Sequence, residues 1–200
     1  MSVSVNEPVR HPGRPRCEAT EKAILAAARQ MFETSNLREL TIDAIAKKAG
    51  VSKATIYRWW TNKADLVMDA CLEELRQYAT FDCKDGDPVD IITGQMRRLI
   101  KVYSGPTGRI VAQLMAEGQY QPEICSRFLA AHGEIRCNEL QSLVGGEREK
   151  VVFLADLLYG PIYFRLIRHS CPLDEQFAER LTRQAAKWIA QWQAGTFCAA

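Results

Sequence analysis

Two hundred residues suffice for one large domain, or for a small head joined to a larger body. An apolar fraction of 47% with 25% charged residues is ordinary for a soluble globular protein, and no apolar run approaches the roughly 18 residues of a membrane span. The net charge of +2 hides an asymmetry: residues 1–65 carry 11 lysines and arginines against 7 acidic residues, and residues 66–200 carry 15 against 17, so the front of the chain suits a polyanion and the rest does not.

Residues 1–17 form a basic arm in which Pro8, Pro12, Gly13 and Pro15 oppose regular structure. The arm has arginines but no apolar stretch, so it does not read as a secretory signal, and a cytoplasmic location is expected. The seven cysteines show no Cys-x-x-Cys spacing, which disfavours both a zinc site and a secreted disulfide framework.

A first helix is expected over 18–34, with Ile24, Ala28, Met31 and Phe32 on one stripe. After a loop through Ser35 and Asn36, Thr41 caps a second helix that buries Ile42, Ile45, Ala46 and Ala49. Gly50 ends that helix and Ser52 caps a third, about 53–59. Two short helices joined by a tight glycine turn make a helix-turn-helix. Asn62 caps a fourth helix with Leu66, Val67, Ala70, Cys71 and Leu75 inward, and the polar stretch from Asp82 to Pro88 marks a soft boundary.

Beyond it, periodic apolar positions predict helices near 88–103, 106–118 and 121–142, then, past Gly145-Gly146, two apolar helices at 147–169 and 174–194. Pro161 falls inside the first of these and is expected to kink it near Leu157. No strand alternation stands out, so the fold class is all-α: a helix-turn-helix head over 18–66 and a helical body over 67–200.

A recognition helix must present a polar face to the major groove. Lys53, Ala54, Thr55, Tyr57 and Arg58 supply that face, with Ile56 turned inward and Ser52 at the helix start. Lys53 and Arg58 are candidates for guanine edges or phosphates, and Thr55 for a base edge or a thymine methyl. The helix N-termini at Thr41 and at Asn62-Lys63 are candidate phosphate sites, where free N–H groups meet an anion. Lys47 and Lys48 read as solvated, and Trp60 as core or junction packing. Arg14 and Arg16 in the arm serve either as minor-groove contacts or as part of a solubilising tail.

The run from Thr41 to Val67, with Ala46-Lys47-Lys48-Ala49-Gly50-Val51-Ser52 and Tyr57-Arg58-Trp59-Trp60 before Asn62-Lys63, resembles the DNA-binding head of the TetR family of transcriptional regulators. The stretch from Leu158 to Leu166 is similar to the penultimate helix of one subgroup, and Thr61 departs from the pattern, where proline is common. The resemblance implies a ligand-responsive repressor of double-stranded DNA and gives Tyr57 a phosphate contact. It further implies a homodimer closed by the last two helices and a small-molecule effector held among helices 88–142. Candidate lining residues are Met96, Tyr103, Met115, Tyr120, Phe128 and Phe153; His132 and His169 could contact an acidic ligand but read rather as surface histidines.

Two other readings stand beside it. An enzyme would need a motif such as His-Glu-x-x-His, a Gly-rich phosphate loop or Gly-x-Ser-x-Gly; none occurs, so no catalytic residue, metal or cofactor is assigned. A thiol-based redox regulator would use Cys125, Cys137 or Cys171, provided one is exposed with a lowered pKa.

Overall fold

A computed structural model describes residues 18–78, 80–81, 86–168 and 171–196. The arm at 1–17, with Arg14 and Arg16, and His169 lie outside the described residues. Within them the chain folds into α1 (Glu18–Phe32), α2 (Ile42–Ala49), α3 (Lys53–Tyr57), α4 (Lys63–Tyr78), α5 (Pro88–Tyr103), α6 (Pro106–Glu117), α7 (Pro122–Phe128), a π turn (Leu129–Gly133), α8 (Glu134–Val144), α9 (Arg148–Arg168) and α10 (Glu175–Gln193). No strand occurs among the described residues, and none of their helices is long and apolar enough to cross a membrane.

The caps anticipated from sequence form. Thr41 Oγ1 accepts from Ala44 N at 3.1 Å, Ser52 Oγ from Thr55 N at 3.2 Å, and Asn62 Oδ1 from Asp65 N at 2.9 Å. Each satisfies a helix N–H that has no partner within its own helix, a contribution of about 1 kcal/mol. Gly50 stands at φ 68°, the left-handed region that ends α2 at little cost to a residue without Cβ.

One continuous apolar core runs from Ile24 in α1 to Ile189 in α10. α4 joins its two parts, packing on α1 in the head and on α5, α6 and α7 in the body. The 66/67 division expected from sequence therefore cuts through a helix that both parts share.

Two expected elements differ. The third helix is shorter than 53–59, and Trp59 and Trp60 lie in the turn after it. The helix expected at 121–142 is interrupted by the π turn, which inserts an extra residue and resets the faces on either side. α9 continues through Pro161 as one helix. α10 lays Phe177, Leu181, Ala185 and Ile189 mainly against α5, so this face is spent within the chain.

The junction of α5 and α6 leaves no room at Gly108: a Cβ there would stand 1.9 Å from the carbonyl oxygen of Tyr103, a backbone atom that cannot move aside. Gly108→Ala is expected to destabilise the fold by about 1–3 kcal/mol, as overpacking does. Urea unfolding checks this, and an unchanged midpoint would contradict so close an approach.

Candidate functional site

The helix-turn-helix is built by burial on one side and exposure on the other. Ile45 of α2 and Ile56 of α3 are fully buried, which pins both helices to the head core. That leaves Thr41, Ser52, Lys53, Ala54, Tyr57 and Arg58 exposed, while Thr55 is half-buried. Thr55 Oγ1 lies 2.9 Å from Ser52 Oγ, so its hydroxyl is already engaged inside the turn. Tyr57 is 55% exposed, unusual for an aromatic side chain and suited to an external partner.

The lysines differ from their sequence assignments in what holds them. Lys53 Nζ lies 2.6 Å from Asp43 Oδ2 on α2, and this carboxylate raises its pKa. Lys63 Nζ donates to Leu37 O at 2.7 Å and to Arg38 O at 3.5 Å, tying the start of α4 to the loop before α2. A cation at a helix N-terminus opposes the helix dipole, so an acceptor was to be expected there.

Behind α3 lies a network that the sequence did not reveal. Trp60, 4% exposed, donates its indole N–H to Asp69 Oδ2 at 2.7 Å. Asp69 Oδ1 accepts from Arg127 of α7 at 2.7 Å, and Asp65 Oδ1 accepts from the same guanidinium at 2.6 Å. One arginine of the body thus holds two α4 carboxylates, one of which holds the residue that follows the recognition helix. The head is further tied at its first loop, where Gln113 Oε1 accepts from Leu37 N at 2.7 Å and Arg109 donates to Phe32 O.

In the body, Met96, Tyr103 and Phe128 are buried and Met115 is half-buried. Tyr120 and Phe153 do not join them. Tyr120 is 89% exposed on the turn between α6 and α7, its N–H bonded to Glu117 O. Phe153 is 47% exposed because Val151, Leu154 and Leu158 define the inner face of α9 and residue 153 falls outside it. His132, expected at the surface, is 2% exposed.

Around it the interior is polar. Gln95, Arg136, Tyr103 and Tyr159 are buried and Tyr163 half-buried, and the Arg136 guanidinium acts electrostatically on His132 and on all three tyrosines. Tyr159 donates to Gln95 Oε1 at 3.1 Å, and Tyr103 to Tyr163 Oη at 3.4 Å. Burial, with Arg136 and Arg76 nearby, pushes His132 down to about 3, so the imidazole is neutral at pH 7. Gln95 was legible as a polar residue inside the α5 apolar stripe; Arg136 was hidden by the register change at the π turn.

Two thiols are held away from sensing chemistry by their surroundings. Burial pushes the Cys71 and Cys137 thiols up, away from the thiolate. Cys125 is half-buried and Cys171 exposed, both free.

The Asp43–Lys53 pair generates a test. Asp43→Ala removes an anion beside the candidate DNA face and releases the lysine, so random-DNA affinity is expected to rise and its salt dependence to steepen. Lys53→Ala is expected to do the reverse. A filter-binding salt series checks both, and equal, unidirectional effects would contradict the pairing's role at that face.

Residues 24–70 match the family described as bacterial regulatory proteins, tetR family, and residues 86–185 match the tetracyclin repressor-like C-terminal domain. The uncharacterised HTH-type transcriptional regulator YdeS of Bacillus subtilis (strain 168) is 30% identical over 185 residues, covering 88% of this chain and 93% of its own. Among solved structures, the TetR family transcription regulator SCO0332 superposes with a TM-score of 0.70 at 25% identity, over 85% of this chain and 98% of that one. A TetR regulator from Rhodococcus sp. RHA1 shares the fold at a TM-score of 0.63 and 16% identity, over 86% and 95%. With an exposed helix-turn-helix face and both halves matched, the chain is a DNA-binding transcriptional regulator and belongs to the TetR family.

Proposed function

We propose that the chain acts as a cytoplasmic homodimeric repressor that binds a palindromic operator and is released by a small-molecule effector. The head over 18–66 reads DNA, the arm over 1–17 adds backbone or minor-groove contacts through Arg14 and Arg16, and the body over 67–200 dimerises and holds the effector. Lys53, Ala54 and Arg58 face base edges, with Thr55 beside them. Tyr57 binds phosphate together with the helix starts at Thr41 and Ser52 and the remaining N–H of Lys63. Met96, Tyr103 and Phe128 belong to the effector site, with Met115 at its margin; Tyr120 and Phe153 are left out of it.

The observation that carries the dimer is the outer face of α9. Val152, Phe153, Phe164 and Ile167 are 40%, 47%, 60% and 52% exposed, and they flank Gly160. Phe153, Asp156, Gly160, Phe164 and Ile167 follow helical spacing along one stripe. Exposed apolar side chains at both ends of this stripe, interrupted only by Asp156, mark it as an interface. Gly160 adds to this: a glycine within a helix costs about 0.5–1 kcal/mol relative to alanine, and a Cβ there would touch nothing within 4 Å of its own chain. A helix of a second copy crossing at Gly160 supplies the reason for its smallness.

A two-fold dimer sets two recognition helices one DNA turn apart, about 34–36 Å, and so selects a palindrome. An effector that prefers a different spacing lowers operator affinity by its differential affinity for the two states.

The test combines sedimentation with a site selected from random DNA. The wild type is expected to sediment as a dimer at micromolar concentration and to select an inverted repeat. Phe164→Glu is expected to give folded monomers that lose more than tenfold in affinity for the full site, since only one half-site is then held per molecule. A monomeric wild type, or a variant that binds the inverted repeat as tightly as wild type, would contradict the reading.

A further inference from the structure

Two like charges at one cavity without a counter-ion repel each other, and an anion placed in that cavity is attracted by both. The corner between α5 and α6 meets the end of α9 and the connection to α10 around a cavity of about 290 Å³. Arg109 lines it from α6 and Arg165 from α9, and no acidic residue among the described ones does. A round cavity of that volume is about 8 Å across, within a Debye length, so an anion held there feels both charges.

Both guanidiniums are held in place by neutral groups. Arg165 donates through Nη1 to Pro172 O at 2.8 Å and lies over the buried Phe177 ring, 3.8 Å from its centroid. Arg109 donates through Nη2 to Phe32 O and, at 3.5 Å, to Ser35 O. Neither forms an ion pair among the described residues. A guanidinium carries five N–H donors, so each keeps donors to spare while its position is already fixed. The backbone adds to the positive field: α6 starts at this cavity with Gly105 at its N-cap position and no side chain capping it. The rest of the lining is largely apolar, with Leu166, Pro172 and Leu173 beside the Tyr103 ring. The space sits at the lower end of ligand pockets, about 300–1,000 Å³, which suits a molecule the size of one ring.

We propose that this cavity is a second effector site, that its ligand is a small organic carboxylate with a compact apolar body, and that the acid acts on the head through Arg109. The planar guanidinium fork matches a carboxylate, and the apolar wall takes the body of the ligand. The acid offers Arg109 an ionised acceptor where it now has two carbonyls, and attraction between two full charges exceeds that to a carbonyl dipole. Those carbonyls belong to the end of α1 and the loop before α2, so filling the site loosens a tie between α6 and the head. The inference goes beyond the effector reading above, with which it shares only Tyr103.

Calorimetric titration of the full chain with benzoate, benzamide and inorganic phosphate tests it. Wild type is expected to bind benzoate about tenfold or more tightly than benzamide, its neutral counterpart, and more tightly than phosphate, which gains nothing from the apolar wall. Cys171 lines the same cavity and is exposed, so it reports occupancy: saturating benzoate is expected to slow its alkylation by iodoacetamide severalfold, read by peptide mass spectrometry. Arg165→Gln is expected to erase most of the benzoate preference, and Arg165→Lys, which keeps the charge without the fork, to retain part of it. Benzoate is expected to weaken wild-type binding to the inverted repeat selected from random DNA and to have no such effect on Arg165→Gln. Arg109→Gln is expected to bind that DNA as benzoate-loaded wild type does, with benzoate adding nothing; thermal melts show which variants are folded, and the Arg165 pair decides alone where Arg109→Gln is not. Equal binding of benzoate and benzamide, tightest binding of phosphate, unslowed alkylation of Cys171, DNA binding indifferent to benzoate, or a full preference kept by Arg165→Gln would overturn the proposal. So would the absence of benzoate binding at a Kd of about 10 mM or tighter. In each of these cases DNA binding by the free protein leaves the regulator reading intact. A wild type that binds no DNA fails that reading itself and the coupling with it.

Discussion

The guanidinium of Arg127 between Asp65 and Asp69 is the interaction on which the rest of the molecule turns. α4 is a single helix, and it belongs to the head by its packing on α1 and to the body by its packing on α5, α6 and α7. A helix fixed at both ends transmits position only if something on each side grips it at defined points. Arg127 grips from the body, and the Trp60 indole grips from the turn behind α3. The planar fork of arginine suits this task because it holds two carboxylates one helical turn apart at fixed angles, which a lysine ammonium does not.

Arg127 also neighbours Phe128, the residue that leads into the π turn and stands between His132 and Tyr163. The π turn is thus joined to the turn behind the recognition helix by one covalent step, the Arg127–Asp69 ion pair and the Trp60 indole hydrogen bond. Arg109 and Gln113 of α6 add a second set of links, to the chain between α1 and α2. Couplings of this kind need a two-state element to carry them, and the π turn is where the run from α7 to α8 departs from regular α-helical hydrogen bonding.

The head was legible from the sequence for a definite reason. Caps, a left-handed glycine and 3.6-residue spacing are local features, and Thr41, Gly50, Ser52 and Asn62 each do what their chemistry favours. What escaped were partnerships across elements: Asp43 with Lys53, Lys63 with two carbonyls, Arg127 with two aspartates. Nothing in spacing along a chain predicts which distant carboxylate an arginine finds. In the body, the one-residue insertion at 129–133 shifts the helical register, so the spacing of the preceding residues does not reveal that His132 and Arg136 lie inside, and a local aromatic pattern could not distinguish the two faces of α9 on which Tyr159 and Phe153 lie. Polar residues in an otherwise apolar stripe, such as Gln95, were the available signal for a buried polar interior.

The central claim is that the body sets the recognition helix through Asp69. It is tested most directly by a double-mutant cycle in operator affinity between Arg127→Ala and Trp60→Phe, the second removing only the indole N–H. The two side chains meet through Asp69 and not through each other. The account predicts that the second substitution costs much less once the first is present, a coupling well beyond the roughly 0.3–0.5 kcal/mol within which independent sites add. Additive losses within that margin would contradict it and leave the head and body joined by packing alone.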